Sequence, residues 1–180
     1  MPEAPDTMRV FFALWPDDSV RGALAQLATG LRRECGGRVV PARNLHLTLV
    51  FVGNIGAGRV QQLCELAAGF AAPAFAMTVD VVEYWRHNRI GCAGPRECAE
   101  ALRTLVAGLE EALKAGGFRF DRRPYAPHIT LLRNARSAPH VPAAGDIAWQ
   151  ARDFALVQSV HREGGSVYEV VGRWPLKSLN

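Results

Sequence analysis

One four-residue pattern occurs twice in this chain and constrains its fold more than any other feature. A histidine and a threonine stand two residues apart, each followed by an aliphatic residue, at residues 46–49 and again at residues 128–131. In an extended strand such a pair projects from one face while the aliphatic residues face the opposite way, into a core. The two copies begin nearly half the chain length apart. This spacing predicts two related halves that each contribute one imidazole and one hydroxyl to a shared site.

The sequence around the two copies predicts alternating strands and helices. Apolar, β-branched and aromatic runs predict strands, whereas apolar residues spaced three to four apart predict helices. The predicted strands are 8–15, 38–40, 45–52, 75–85, 89–93, 128–133, 147–161 and 167–173, with the first motif strand ended by Gly53 and Gly56. The predicted helices are 17–33, 59–70 and 95–115, the last beginning at Pro95, and residues 135–146 are predicted to be a loop.

The ends of the chain and its cysteines indicate an ordinary cytoplasmic domain. Residues 1–7 are predicted to be a flexible leader, with 8–180 forming one domain that has no signal sequence and no membrane span. The four cysteines match neither a zinc pattern nor a compact disulfide framework, so we expect reduced thiols that are mostly buried. The protein is expected to be a monomer.

The repeated pattern has a definite chemical use. Histidine exchanges protons near neutral pH, so His46 and His128 on opposite sides of one site can serve as general acid and general base. The hydroxyls of Thr48 and Thr130 can donate to anionic oxygens. This set is suited to in-line displacement at a strained cyclic phosphodiester. Because the two motifs are nearly identical, the sequence does not say which histidine is the acid.

A metal site is not expected, because neither motif has a second ligand residue at metal-binding spacing. No cofactor is predicted. His87 is expected in a turn, and His140 and His161 are expected on the surface. The net charge of +4 is compatible with an anionic substrate. Three basic residues precede the second motif and form either a phosphate-attracting patch or a solvated loop: Arg119, Arg122 and Arg123.

The two motifs and their flanks resemble a known family. The segments RVFFALWP, NLHLTLVFVG, RPYAPHITLLR and SVYEVVGRWPL are similar to those of the two-histidine (2H) phosphoesterases. Within that superfamily they resemble the RNA 2′,3′-cyclic phosphodiesterases, also called 2′-5′ RNA ligases. The resemblance covers nearly the whole chain.

The resemblance implies a bilobal α+β fold. Two pseudo-symmetric antiparallel sheets flank a central groove that holds both motifs, and helices cover the outer faces. It also implies metal-independent hydrolysis of a 2′,3′-cyclic phosphate at an RNA end to a 2′-phosphate. By similarity His46 protonates the leaving 3′ oxygen, His128 activates water, and Thr48 and Thr130 hold the non-bridging oxygens. Reversible 2′-5′ ligation is the corresponding reverse reaction.

Two further residues match family positions at the same distance from each histidine. Arg133, five residues after His128, corresponds to a phosphate-contacting arginine, and Phe51, five after His46, corresponds to an aromatic near the nucleoside. In a regular strand an odd offset places a side chain on the opposite face. Each therefore needs a bulge or a strand end to reach the groove, and core packing is the alternative for Phe51.

Two other functions remain open from the sequence. One is a module that binds nucleotides or RNA ends without turnover. The other is a phosphodiesterase for small cyclic nucleotides. The expected partners are RNA ends or nucleotides that carry a 2′,3′-cyclic phosphate.

Overall fold

The structure, a computed structural model, describes residues 6–140 and 143–178. It is an α+β fold built on two antiparallel sheets, as the family resemblance implied. The strands are β1 (Thr7–Leu14), β2 (Arg38–Val39), β3 (Leu47–Gly56), β4 (Phe75–Trp85), β5 (Ile90–Gly94), β6 (Ile129–Arg133), β7 (Ala143–Ala151), β8 (Asp153–Arg162) and β9 (Gly165–Pro175). The helices are α1 (Asp18–Cys35), α2 (Val60–Gly69) and α3 (Glu100–Ala115).

Each sheet contains one of the two motif strands. The four-stranded sheet has the order β3-β1-β8-β9, and the five-stranded sheet has the order β2-β6-β5-β4-β7. The first motif lies at the start of β3, an edge strand, and the second lies at the start of β6, between β2 and β5. Strands β3 and β6 are in contact across the molecule, which brings the two motifs toward each other.

Strand β1 shows how alternation separates the two faces of the four-stranded sheet. Val10, Phe12 and Leu14 join the main core, which also holds the apolar stripes of the helices. Phe11 and Ala13 point the other way and form a smaller apolar cluster with Ala155 and Val157. Helices α2 and α3 therefore cover one face of this sheet, and the smaller cluster lies on the face that carries the first motif.

The helices begin and end where their capping residues allow. The side chain of Asp17 accepts a hydrogen bond from the Val20 backbone N–H (2.9 Å) and caps α1. Helix α3 begins at Glu100, so the predicted start at Pro95 was wrong. The carboxylate of Asp80 accepts from the Arg96 N–H (2.7 Å), which ties the intervening segment to β4 and keeps it out of the helix.

The two sheets do not correspond to the two halves of the sequence. Strands β2 and β4 from the first half join the five-stranded sheet, whereas β8 and β9 from the second half join the four-stranded sheet. The predicted strand 147–161 is in fact two strands, β7 and β8, which belong to different sheets and are separated at Arg152. Hydrophobic patterning cannot reveal such an exchange, because the same apolar residues suit either sheet.

Several predicted boundaries also differ from the structure. The first motif strand continues through Gly53, which has a φ of +89° and adopts a bulge instead of ending the strand. Strand β7 begins at Ala143, within the predicted loop. Thr7, the last residue of the predicted leader, is paired with Gly56, while residues 1–5 lie outside the described residues.

All four cysteines are free thiols, as predicted: Cys35 and Cys92 are buried, and Cys64 and Cys98 are half-buried. Within residues 6–140 and 143–178, none of the helices has the length and apolar character needed to cross a membrane.

Candidate active site

Matched β-bulges in the two motif strands determine which side chains share the site face. Along β3, Val50 pairs with Phe12 and Thr48 with Ala13, so Leu49 is an extra residue. Along β6, Leu132 pairs with Gly91 and Thr130 with Cys92, so Leu131 is the extra residue. Each bulge reverses the alternation by one residue. Phe51 therefore returns to the face of Thr48, and Arg133 returns to the face of Thr130.

His46 lies directly before β3 and is held on several sides. Its Nδ1–H donates to the carbonyl oxygen of Asn44 (2.7 Å). The indole of Trp15 is stacked on the imidazole, with centroids 5.4 Å apart and an interplanar angle of 9°. Phe11 and Tyr168 contact the ring at 4.9 and 5.0 Å. These contacts leave the imidazole with little freedom to rotate.

The hydrogen bonds of His46 also determine its tautomer. A carbonyl oxygen can only accept, so the proton of the neutral ring must be on Nδ1. Nε2 then carries the lone pair and accepts from the hydroxyl of Thr48 (3.1 Å). The atom that can exchange a proton with a substrate therefore lies beside a hydroxyl that can bind an anionic oxygen.

His128 repeats the same arrangement in the second motif. Its Nδ1–H donates to the carbonyl oxygen of Ala126 (2.8 Å), again two residues before the histidine, so Nε2 carries the lone pair in the neutral ring. Trp85 lies against this imidazole with centroids 4.4 Å apart. Both His128 and Thr130 are half-buried. The two motifs thus present equivalent nitrogen atoms, each held by the same kind of hydrogen bond to a backbone carbonyl.

The surroundings of His46 favour its neutral form. Burial lowers the pKa of His46 to about 4, with smaller contributions from the charges of His128 and Arg133 in the same direction. The hydrogen bond to Asn44 raises this pKa, but by less than burial lowers it. The effect of His128 and Arg133 on this pKa indicates that both residues share the electrostatic environment of His46.

This low pKa predicts a pH-dependent stability. As the pH falls from 6.5 to 4, unfolded chains protonate His46 while folded chains do not, so the stability that is complete above pH 6.5 is lost toward pH 4. We expect a loss of about 2 to 3 kcal/mol from this group. Urea unfolding across this pH range should show a flatter dependence for His46→Gln than for the wild type. An equal pH dependence of the unfolding free energy in the two proteins would contradict a lowered pKa for His46.

Asn44 links this histidine to the opposite edge of the four-stranded sheet. Among the described residues, Asn44 is the polar residue that is buried, with 5% of its surface exposed. Its Nδ2 donates to the carbonyl oxygen of Ser166 on β9 (2.9 Å). The same residue supplies the carbonyl that holds Nδ1 of His46. Asn44 therefore fixes the position of the acceptor that sets the His46 tautomer. Ala126, its counterpart before His128, has no side chain that can act in this way.

Replacing Asn44 by alanine should loosen the first motif. The Asn44→Ala variant is expected to lose about 1 to 2 kcal/mol, because the Ser166 carbonyl loses its donor. The ¹⁵N shifts of the His46 ring should change from a single Nδ1–H tautomer to a mixture of the two tautomers. Asn54→Ala, an exposed position on β3, is the control and should change neither quantity. An unchanged tautomer in Asn44→Ala would refute this positioning role.

The segment before the second motif connects it to the first motif strand. The backbone N–H of Asp121 donates to the carbonyl oxygen of Phe51 (2.9 Å). The hydroxyl of Tyr125 donates to the carbonyl oxygen of Thr48 (3.1 Å), and burial raises the pKa of Tyr125. The segment thus covers the open edge of β3 and couples the positions of the two motifs.

The remaining predicted residues are placed as follows. Phe51 packs against the smaller apolar cluster and has the guanidinium of Arg9 over its ring at 4.8 Å. Arg133 is exposed at the end of β6. Arg123 pairs with Asp121, and Arg122 lies over Phe120. Two of the three basic residues that precede the second motif therefore make local contacts. As predicted, His87 lies in a turn, and His140 and His161 are exposed.

Two cavities lie away from the histidines. One, of about 420 Å³, lies between α3 and residues 120–125, and the other, of about 560 Å³, is lined by Arg96, Glu97, Cys98, Arg103 and Tyr125. Tyr125 lines both cavities, and its hydroxyl is the group that donates to the Thr48 carbonyl oxygen. In the described parts of the chain, no group of three or more histidine, cysteine or acidic side chains is arranged to hold a metal ion.

Sequence reasoning missed several residues that contact the two histidines. Trp15 and Tyr168 pack on His46, and Trp85 packs on His128. Asn44 and Tyr125 fix the backbone of the motifs. Only Asn44 and Tyr125 are near a motif in the sequence, and no spacing rule distinguishes them from ordinary loop residues.

The fold and the paired imidazoles define a phosphoesterase of the two-histidine class. A family model described as LigT-like phosphoesterase matches the chain twice, over residues 14–93 and 90–168. The chain therefore belongs to the LigT-like phosphoesterase family and is a hydrolase, in agreement with the resemblance seen in the sequence.

Individual relatives agree with this classification. The chain is 34% identical to the RNA 2′,3′-cyclic phosphodiesterase of Escherichia coli, over 95% of this chain and 98% of that protein. It is 32% identical to the protein of the same name from Thermus thermophilus, over 94% and 91%. The crystal structure of E. coli LigT complexed with 3′-AMP superimposes with a TM-score of 0.83 at 31% identity, covering 95% of this chain and 99% of that chain.

Proposed function

We propose that this protein is a metal-independent RNA 2′,3′-cyclic phosphodiesterase that converts a cyclic phosphate end to a 2′-phosphate. One observation carries the proposal: each motif histidine donates Nδ1–H to a backbone carbonyl and so keeps Nε2 for proton exchange. The names of the relatives and the 3′-AMP complex of E. coli LigT support a substrate of this class.

The proposed reaction is an in-line displacement at phosphorus. The oxygen of a water molecule bonds to phosphorus while the bond between phosphorus and the 3′ oxygen breaks. One imidazole takes the proton from the water, and the other gives a proton to the 3′ oxygen. The hydroxyls of Thr48 and Thr130 donate to the non-bridging oxygens, and the positive charge of Arg133 stabilises the anionic transition state. Both proton transfers are supplied by the protein, so the scheme requires no metal and no cofactor.

The family resemblance assigns His46 as the acid and His128 as the base. An acid must carry its proton before the step, whereas burial keeps His46 neutral in the free protein. A bound phosphodiester anion favours the imidazolium form and raises the pKa of a neighbouring histidine. We infer that His46 becomes a competent acid only in the complex with substrate.

The test is hydrolysis of a short RNA that ends in a 2′,3′-cyclic phosphate, in the presence of excess EDTA. We expect full activity and a product that carries only a 2′-phosphate. A 3′-phosphate product, or activity that EDTA abolishes, would contradict the proposal. Binding of the cyclic end without turnover would favour the non-catalytic alternative, and faster hydrolysis of free cyclic nucleotides would favour a small-molecule substrate.

The same site can in principle join two RNA ends. If a 5′ hydroxyl replaces water as the attacking group, the displacement forms a 2′-5′ phosphodiester bond without ATP. Adding an RNA with a free 5′ hydroxyl at high concentration to the assay tests this reaction. The monomeric state and the cytoplasmic location stay predictions.

A further inference from the structure

Trp85 is a large aromatic residue whose position is not explained by the core. The chain has four tryptophans. Trp149 and Trp174 belong to or pack against the main core, and Trp15 packs against the smaller cluster. Trp85, at the end of β4, belongs to neither cluster of the described residues, is only half-buried and lies 4.4 Å from the ring of His128. Its position beside the second motif therefore calls for a reason other than packing.

The orientation of the Trp85 indole is already fixed. Its Nε1–H donates to Oε2 of Glu83 on the same strand (2.9 Å), so the polar edge is satisfied. The imidazole of His87, exposed in the following turn, is nearly parallel to the indole, with centroids 6.4 Å apart and an interplanar angle of 17°. The two nearly parallel rings form an aromatic surface next to His128.

The turn that carries this surface is anchored to the residues that directly follow the second motif strand. Arg89 adopts a left-handed backbone conformation with a φ of +57°, and its carbonyl accepts from the Ala135 N–H (3.0 Å). Its guanidinium donates to the carbonyl oxygens of Ala135 and Asn134 (3.3 and 3.4 Å). The hydroxyl of Tyr84 also donates to the Ala135 carbonyl (3.2 Å). A surface held in place before binding loses little entropy when a ligand stacks on it.

The other aromatic candidate for a nucleoside contact is occupied. Phe51 packs against the smaller cluster, and the guanidinium of Arg9 lies over its ring. Trp85 has no cation over its ring among the described residues, and the exposed guanidinium of Arg86 follows it in the chain. Partly exposed aromatic side chains bind nucleobases by stacking, and a nearby arginine adds attraction for the backbone phosphate.

We propose that Trp85, together with His87, is a stacking platform for a nucleobase of the RNA strand that carries the cyclic phosphate. This inference rests on the proposed function, because a phosphate bound at His128 places the attached nucleotides beside Trp85. It also favours an RNA end over a free cyclic nucleotide if the stacked base lies upstream of the terminal one.

The test combines a protein change with a substrate change. Three oligonucleotides ending in a 2′,3′-cyclic phosphate are compared: one complete, one lacking the terminal base and one lacking the penultimate base. For Trp85→Ala we expect kcat/KM to fall about tenfold or more on the complete substrate, mainly through KM, because stacking contributes that much per base. On one of the two abasic substrates the variant and the wild type should be equal.

Control variants separate stacking from support of His128. Trp85→Phe keeps an aromatic face and should retain most of the activity, and His87→Ala should show a smaller loss with the same substrate dependence. His161→Ala removes an exposed imidazole on β8 and should have no effect. An equal penalty for Trp85→Ala on all three substrates would mean that Trp85 only supports His128, and the proposal would be overturned.

The stacking role of Trp85 can also be tested without catalytic turnover. If the wild type hydrolyses none of the substrates, the proposed function fails, and calorimetric binding of the matched oligonucleotides ending in a 2′-phosphate tests the platform by itself. The proposal is supported if Trp85→Ala loses affinity for the complete ligand but not for one of the two ligands that lack a base. Equal loss for complete and abasic ligands refutes it.

Discussion

Replacing either motif histidine by glutamine is expected to lower kcat by about 10²- to 10⁴-fold, which corresponds to roughly 3 to 5 kcal/mol of barrier. Glutamine keeps a polar side chain of similar size but neither accepts nor releases a proton near neutral pH. The His46→Gln and His128→Gln variants should each retain measurable binding of a 2′-phosphorylated nucleotide. Combining them should cost little more than the worse single change, because the two imidazoles act in one step.

The measurement is steady-state hydrolysis of the cyclic-phosphate oligonucleotide in EDTA, with thermal unfolding recorded for every variant. His161→Gln, an exposed histidine away from both motifs, is the matched control and should behave as the wild type. Because His46 is packed among aromatic rings, only variants with near-native melting temperatures are compared. If His46→Gln or His128→Gln loses less than fivefold in kcat, paired acid and base catalysis by these residues is excluded.

The Phe154→Ala variant should show the largest loss of stability, about 3 to 5 kcal/mol. Phe154 is 0% exposed, and its ring lies 6.1, 6.0 and 5.7 Å from those of Phe12, Phe70 and Trp174. Truncation opens a cavity between β1, β8 and helix α2, which the surrounding strands cannot close without moving.

Urea unfolding measures this effect, with Val170→Ala as the control. Val170 is 43% exposed on the edge strand β9, so its truncation should cost less than about 0.5 kcal/mol. A loss below about 1 kcal/mol in Phe154→Ala would mean that the packing of Phe154 against these three aromatic rings contributes little to stability.

Local structure was largely predictable from the sequence. The segments that become β1 and α1 both lie where the near-continuous apolar run and the capped helical spacing placed them. Long-range pairing was not predictable in the same way. The membership of β2 and β4 in one sheet and of the β8–β9 hairpin in the other is decided by packing partners that are far apart in sequence.

The candidate site likewise combines features that could be predicted from local sequence with features that could not. The repeated pattern selected His46 and His128, and the structure shows the bulges at Leu49 and Leu131 that bring Phe51 and Arg133 onto the motif faces. The requirement for a bulge could be derived from the odd offset of five residues. Whether a strand contains one depends on register with its neighbour, which the sequence of one strand does not specify.

Residues that support the histidines were not predictable. Trp85 approaches His128 only because β4, β5 and β6 are adjacent in one sheet. Asn44 resembles any polar loop residue until its burial and its bond to Ser166 are known. Such contacts join segments with no local signal in common, so they emerge only from the assembled fold.

A crystal structure of the protein with 2′-AMP, a nucleotide that carries the proposed product group, is the most direct test of paired-histidine catalysis. We predict that the phosphate lies between the two motifs, with its oxygens about 2.6 to 3.2 Å from Nε2 of both His46 and His128. The hydroxyls of Thr48 and Thr130 should donate to the same phosphate. A phosphate bound instead in the cavity beside Arg103, with neither imidazole in contact, would contradict the proposed mechanism.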